Sequence, residues 1–397
     1  MKIVVICGSY MPDYSAVGIC AKNIVDEFVK QGYDVTVIAE RTASPIMETH
    51  AEEIRHITTP LLELYFSKHR FVRLLYRMIR YLQAIFSFEN IKKDIVVSYI
   101  KELKDTNNVK KIDLIVPLCF PFEALLAANR FAVGAKTRVT PVIFDNFINN
   151  DRLHRLKWNR VVKTKIHLKS LKKILAESAK VFVIHSQLQF FKHEFKEETH
   201  KLMFIEHPLL LPPDREQKTS TTVFYAGSFL KRYVPSGGMA KILESVIPQI
   251  QNHFEFCVMG NDLTPIRMLE SKFPDKIFNN GRVPFKEVME KMANAGFLIS
   301  VAELEGIQIS SKIFTYISTG KPIIHFYYVN NDINLHILEK YPLLCAINLK
   351  EEDKNKLKDK LVAFLKAKHE IMDFDKIQTL FSEASPKFVV DNIISCL

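Results

Sequence analysis

Nowhere in the 397 residues does an apolar run approach the ~20 needed for a bilayer-spanning helix, so no such segment is expected. The opening Met1-Lys2-Ile3-Val4-Val5-Ile6-Cys7-Gly8 is too short an apolar stretch for a signal peptide and reads as a buried first strand. The six cysteines (Cys7, Cys20, Cys119, Cys257, Cys345, Cys396) have no paired spacing. That excludes a disulfide frame or a cysteine zinc site and suits reduced core thiols in a cytoplasmic chain. The segment Gly8 to Gly18 lacks the Gly-x-Gly-x-x-Gly spacing of a dinucleotide site, which argues against nicotinamide chemistry. No Ser–His–Asp order, metal-type histidine spacing, conventional general base or short internal repeat occurs.

What is present is the composition of a soluble globular protein, 48% hydrophobic and 25% charged. The length exceeds one ordinary core and points to two or three domains. The net charge of +11 is uneven: residues 1–210 hold 32 Lys and Arg against 22 Asp and Glu, whereas residues 211–397 hold 23 against 22. An excess confined to one half implies an anionic partner for that half. No nucleic-acid motif accompanies the charge, so nucleic acid is not the expected partner.

Both halves alternate strand-like and helix-like segments. The first runs Ile3–Cys7 (strand), Gly18–Gln31 (helix), Val35–Ala39 (strand), a long helical region Leu61–Phe88, and a helix Ile91–Leu103. It continues with Leu114–Leu118 (strand), Phe122–Phe131 (helix), Val139–Phe144 (strand), Val161–Glu177 (helix), Val181–His185 (strand) and Gln187–Phe195 (helix). The second half repeats the rhythm from Thr222–Tyr225 to Ile323–Phe326, and the lysine-rich run Glu351–Lys360 reads as a solvated helix face. Between the halves, Glu206-His207-Pro208-Leu209-Leu210-Leu211-Pro212-Pro213-Asp214 suits a linker. The βαβ rhythm predicts two α/β domains, each a parallel sheet covered by helices.

The functionally richest stretch is Ser310-Ser311-Lys312-Ile313-Phe314-Thr315-Tyr316-Ile317-Ser318-Thr319-Gly320-Lys321-Pro322. It predicts a helix over Ser311–Ser318, opening on serines and a lysine. A helix N-terminus offers unpaired N–H groups and partial positive charge, which suits phosphate. Lys312 in the first turn opposes that dipole unless an anion binds there. The plainer alternative is a serine N-cap beside a solvated lysine.

This block resembles the donor-binding signature of GT-B glycosyltransferases, particularly bacterial members similar to glycosyltransferase family 4. Those carry Ser-Lys-Ile-Phe-Glu-Tyr followed by Gly-Lys-Pro. The resemblance implies two Rossmann-like domains facing each other across a cleft. Residues 1–207, completed by a returning C-terminal helix at 386–397, would bind the acceptor, and residues 208–385 the donor. It also implies metal-independent, retaining transfer from a UDP- or GDP-linked sugar to a cell-envelope glycan or lipid-linked acceptor, without a cofactor. Lys231, Arg232 and Lys312 would be the catalytic cations on the diphosphate. Gly18, Gly227, Ser228, Ser311 and Ile313 would line the donor phosphates, Arg282 and Val283 the base, and Glu305 the sugar. The family glutamate that binds the ribose is Thr315 here, which can hydrogen-bond but offers no bidentate anionic acceptor.

Two alternatives stand beside transfer: a GT-B sugar-nucleotide epimerase, needing no acceptor, and a catalytically silent binding subunit, motivated by Thr315. The region Arg70–Phe88 places Arg70, Arg73, Arg77 and Arg80 on one stripe, with Phe71, Leu74, Leu75, Met78, Tyr81, Leu82 and Ile85 over most of the remainder. A second basic region runs from Arg152 to Lys173. Such surfaces suit an anionic bilayer, and so a peripheral location on the inner face of the plasma membrane. The competing reading is the solvated side of an ordinary packed helix.

Overall fold

The structure, a computed structural model, describes residues 1–397 except 11–15, 42–51, 88–90, 146, 149–156, 230–235, 261–262, 308 and 311. The chain divides into Met1–Leu209 with Glu383–Leu397, and Leu210–Ser382. The first crossing thus falls inside the proline-rich segment read as a linker.

The first unit is built from β1 (Lys2–Cys7), α1 (Ala16–Lys30), β2 (Asp34–Glu40), β3 (Glu53–Ile57), α2 (Pro60–Phe66), α3 (Arg70–Phe86) and α4 (Lys93–Val109). Then follow β4 (Leu114–Cys119), α5 (Phe122–Ala135), β5 (Arg138–Val139), β6 (Val142–Ile143), α6 (Lys157–Glu177), β7 (Val181–Ile184), α7 (His185–Glu194) and β8 (Leu202–Ile205). All pairings are parallel, in the order β3-β2-β1-β4-β6-β7-β8, with β5 also against β4. Every residue of β1 and β4 is buried, as expected of strands covered on both faces.

Two expectations need correction. The single strand Val139–Phe144 is two short ones, because Pro141 has no N–H for the ladder. The β5 and β6 pieces pair with successive parts of β4, Ile115 opposite Val139 and Leu118 opposite Val142. The long helix over 61–88 is broken at Ser67–His69, where the Ser67 hydroxyl accepts the His69 N–H at 3.2 Å and competes with helical bonding. Two edge strands of this first sheet were not expected, the polar β3 and the short β8.

The second unit comprises β9 (Thr222–Phe229), α8 (Ser236–Val246), β10 (His253–Gly260), α9 (Thr264–Lys272), β11 (Ile277–Asn279), α10 (Phe285–Asn294) and β12 (Phe297–Val301). It continues with α11 (Lys312–Ser318), β13 (Ile323–Tyr327), α12 (Ile333–Leu338), β14 (Leu344–Asn348), α13 (Lys354–Lys366) and α14 (Phe374–Leu380). The all-parallel order β11-β10-β9-β12-β13-β14 is the doubly wound arrangement, whose direction of travel reverses between β9 and β12. The lysine-rich run enters α13, which Asp353 caps and whose Leu357, Leu361, Val362 and Leu365 are buried. The last helix, α15 (Pro386–Ser395), returns to the first unit. It buries Val389, Val390 and Ile393, and Asp391 accepts a hydrogen bond at 2.8 Å from the side chain of Gln31, just past the end of α1.

The Lys321 of the Gly-Lys-Pro turn is wholly buried. Its ammonium donates to the carbonyl oxygens of Lys218 (3.1 Å), Met292 (2.9 Å), Ala293 and Ala295, gathering the end of α10 and the segment that leads into β9. Burial pushes its pKa down to about 8, so it stays mostly charged at neutral pH. Replacing it with an apolar side chain strands buried acceptors. Lys321→Met is expected to lower the stability of the second unit by at least about 2 kcal/mol, read from urea unfolding.

Candidate functional site

In open parallel α/β sheets, ligands sit beyond the carboxyl ends of the strands where the winding reverses. In the second unit that point lies between the ends of β9 and β12, and α11 stands over it. Ile313, Phe314, Tyr316 and Ile317 bury the inner side of this helix. The Tyr316 hydroxyl reaches the Ala226 carbonyl on β9 at 3.4 Å. On the same end, Lys312 extends over Gly227: a Cβ built there would lie 2.8 Å from the lysine Nζ and 2.7 Å from the Tyr225 hydroxyl. A glycine at 227 is therefore what lets the ammonium rest against the strand.

Among the described residues, no carboxylate forms an ion pair with Lys312. Lys312 keeps accessible surface, yet enough protein surrounds its ammonium that desolvation lowers its pKa. Accessible area governs whether a ligand can reach it, and the surrounding protein governs its charge. A cation deprived of water and without a counter-charge favours an incoming anion.

The loop between β12 and α11 is held from behind. Inside the sheet, His325 is flanked by the Ser300 hydroxyl and Asp332, each 3.1 Å away, and all three are buried. Asp332 also caps α12 through the Leu335 N–H at 2.8 Å. Neighbouring Asn334 accepts the Ser310 N–H at 2.7 Å, just before the signature helix. Gly306, at φ +67°, lies against Asp332; a Cβ there would come within 3.0 Å of its Cα and 2.4 Å of the Val329 side chain. Sequence order alone missed this Ser300–His325–Asp332 set, which is sealed from solvent and supports the loop. The one available signal was an aspartate immediately ahead of a helical pattern.

The matching end of the first unit lies beyond β1 and β4. Gly8 donates its N–H to the Phe120 carbonyl (3.3 Å) and packs against Pro121. A cavity of about 760 Å³ opens beside them, walled by α3, Phe120, Phe122, Phe147 and His167, with Arg77, Arg80, Lys92 and Glu123 as charged lining. Burial would raise the Asp94 carboxyl, but the Arg80 guanidinium, 2.7 Å away, holds it below the usual range. Glu40, ending β2, is pushed upward chiefly by burial, against the pull of Lys92. Sequence reasoning did not single out Glu40.

The residues expected at the donor site divide as follows. Gly227 and Lys312 are brought together, and half-buried Ser228 follows Gly227 on β9. Thr315 is half-buried on α11. The Ile313 side chain is buried and its N–H is bonded to the Ser310 carbonyl (3.0 Å), so neither faces a ligand. Exposed Arg282 and half-buried Val283 follow the edge strand β11 at the same end of the sheet. Exposed Glu305 lines another recess, of about 510 Å³, with Tyr328, Asn331 and Lys350, and neither Gly227 nor Lys312 lines it. Gly18 is buried in the first turn of α1, which begins two residues earlier than expected, in the first unit. Lys231, Arg232 and Ser311 lie outside the described residues. His207 is buried, stacks on Phe144 and is pushed down to about 4 by burial, which leaves it neutral.

No protein-family model and no curated protein sequence matches the chain. Solved structures do resemble it over its whole length. The UDP-GlcNAc 2-epimerase of Methanocaldococcus jannaschii aligns over 100% of both chains at 13% identity, TM-score 0.59. The catalytic domain of starch synthase IV from Arabidopsis thaliana, bound to ADP and acarbose, aligns over 100% of this chain and 98% of its own at 10% identity, TM-score 0.59. The lipopolysaccharide outer core galactosyltransferase WaaB aligns over 100% of both chains at 11% identity, TM-score 0.51. At these identities the likeness establishes the fold: the chain has the GT-B architecture of two Rossmann-like units.

Proposed function

We propose that the protein is a glycosyltransferase, similar to family 4, moving a sugar from a UDP- or GDP-sugar to a cell-envelope glycan or lipid-linked acceptor with retention. The observation carrying this is the desolvated Lys312 ammonium over Gly227, at the reversal point of the second unit and without a described counter-charge. A nucleoside diphosphate gains negative charge as the sugar bond breaks, and a fixed cation beside it lowers the barrier. Lys231 and Arg232, by resemblance, would share that charge. Thr315 would hydrogen-bond the ribose and Arg282 with Val283 would contact the base. An oxygen of the departing phosphate would accept the acceptor's hydroxyl proton as the new glycosidic bond forms on the face just vacated. On this reading no protein base, metal or cofactor is required. The cavity beside Phe120 and Phe122 in the first unit would receive the acceptor.

The test is titration with UDP and GDP, followed by incubation with labelled UDP- and GDP-sugars and membranes. Nucleoside diphosphate is expected to bind wild-type protein, and Lys312→Gln is expected to weaken it roughly 10- to 100-fold, the worth of a charged hydrogen bond. Because only protonated lysine attracts the diphosphate, affinity should be full at lower pH. It should fall as pH rises through the depressed lysine pKa, earlier than the 10.5 of an ordinary lysine. Measured above about pH 7.5, where phosphate is fully ionised, this slope should vanish in Lys312→Gln. Absence of binding by either nucleotide overturns the proposal.

Gly227→Ala is expected to displace the flexible tip of Lys312 and to press on the ring of Tyr225, which is buried and stacked on Phe229. Its Tm should fall by several degrees, roughly 1–2 kcal/mol of overpacking, while nucleotide affinity falls about tenfold. Thr315→Glu, restoring a bidentate acceptor for the ribose hydroxyls, should raise affinity severalfold. Product from donor alone would identify an epimerase. Tight nucleotide binding with no turnover of any donor would identify a silent binding subunit.

A further inference from the structure

Helix α3 is mounted with Arg80 toward the protein and most of its apolar side outward. On the inner side, Arg80 forms a two-pronged ion pair with Asp94 of α4 (2.7 and 3.0 Å) and lies 5.5 Å from the Tyr76 ring centroid. Lys163 of α6, itself without exposed surface, donates to the Ala84 carbonyl. On the outer side, Phe71 is 84% exposed, Phe86 74%, Leu74 59% and Met78 51%, with Leu75 and Leu82 between them. None of the 17 residues is buried. These six recur at helical spacing and form one continuous apolar strip about 25 Å long, at 1.5 Å per residue. A helix serving only as packing would point this strip at the core, so the reading of α3 as an ordinary packed helix does not hold.

We propose that α3 seats the chain on an anionic bilayer, with its apolar strip at the headgroup–acyl boundary and its arginines among lipid phosphates. Arg70 and Arg77 are exposed next to Leu74 at one edge of the strip, and Arg73 is exposed on the side that carries Arg80. Next to it, α6 adds exposed Val161, Val162, Lys165 and Lys169. Apolar side chains flanked by cations match the boundary chemistry of an anionic membrane, where each nearby basic residue adds attraction. A second copy of the chain is the poorer occupant. Helix α3 contains no acidic residue, so pairing two such faces would crowd arginines against arginines. Among the described residues no helix is long and apolar enough to cross a membrane, so attachment by α3 would be superficial.

This inference goes beyond the transferase reading and survives its failure, because the readout is lipid binding. The full chain is floated with vesicles of phosphatidylethanolamine and phosphatidylglycerol, and separately with phosphatidylcholine vesicles. It is expected to rise with the anionic vesicles, to remain below with the neutral ones, and to detach as salt is raised. The double variant Phe71→Glu/Phe86→Glu, changed only at exposed positions outside the cavity wall, should keep the wild-type melting curve and lose at least about tenfold in vesicle binding. Failure of the wild type to float, or equal flotation of the variant, overturns the proposal. So does a wild-type dimer that the same double variant converts to monomer, since the strip would then belong to a second copy.

Discussion

A parallel strand covered by helices on both faces has no place along its length for an unpaired polar group. Buried polar atoms are costly unless hydrogen-bonded, so chemistry is driven to the strand ends. Both sheets here obey that constraint. Their central strands are apolar and buried, and the charged side chains with functional interest stand past the carboxyl ends. Where a polar side chain does enter the sheet, as at Ser300 and His325, it is closed into a bonded set with Asp332. That set supports the loop ahead of α11 from within.

The signature block contains two lysines with opposite duties. Lys312 has a depressed pKa, no described counter-charge and exposed surface. Lys321 is enclosed and donates to four main-chain carbonyls. The Gly-Lys-Pro half of the motif therefore keeps the architecture, while Lys312 of the other half holds its ammonium beside Gly227. A motif match treats both as one signal. The geometry separates them.

Much of the fold was legible because long apolar runs bounded by glycine and proline leave few alternatives. The all-buried β1 and β4 and the helix α5 are of this kind. What escaped was decided by partners distant in sequence. Strand β3 is polar at an edge, and only its ladder with β2 makes it a strand. Thr140-Pro141 reads as strand by its neighbours, yet the missing N–H divides it. Amphipathicity in α3 was visible from spacing, but its orientation was not, since Asp94 and Lys163 fix it from α4 and α6. At the candidate site, Gly227 and Lys312 could be matched to a family pattern. Their approach across 85 positions of chain is a property of the sheet order.

The return of α15 has a consequence for how the chain is made. The first unit begins with Met1 but is closed by residues that follow the whole of the second. During synthesis from the amino end, Leu210–Ser382 can fold while its predecessor still shows a bare patch on α1. The unit translated before Leu210–Ser382 is thus sealed after it. Until Val389, Val390 and Ile393 arrive, the surface they cover stays open to water.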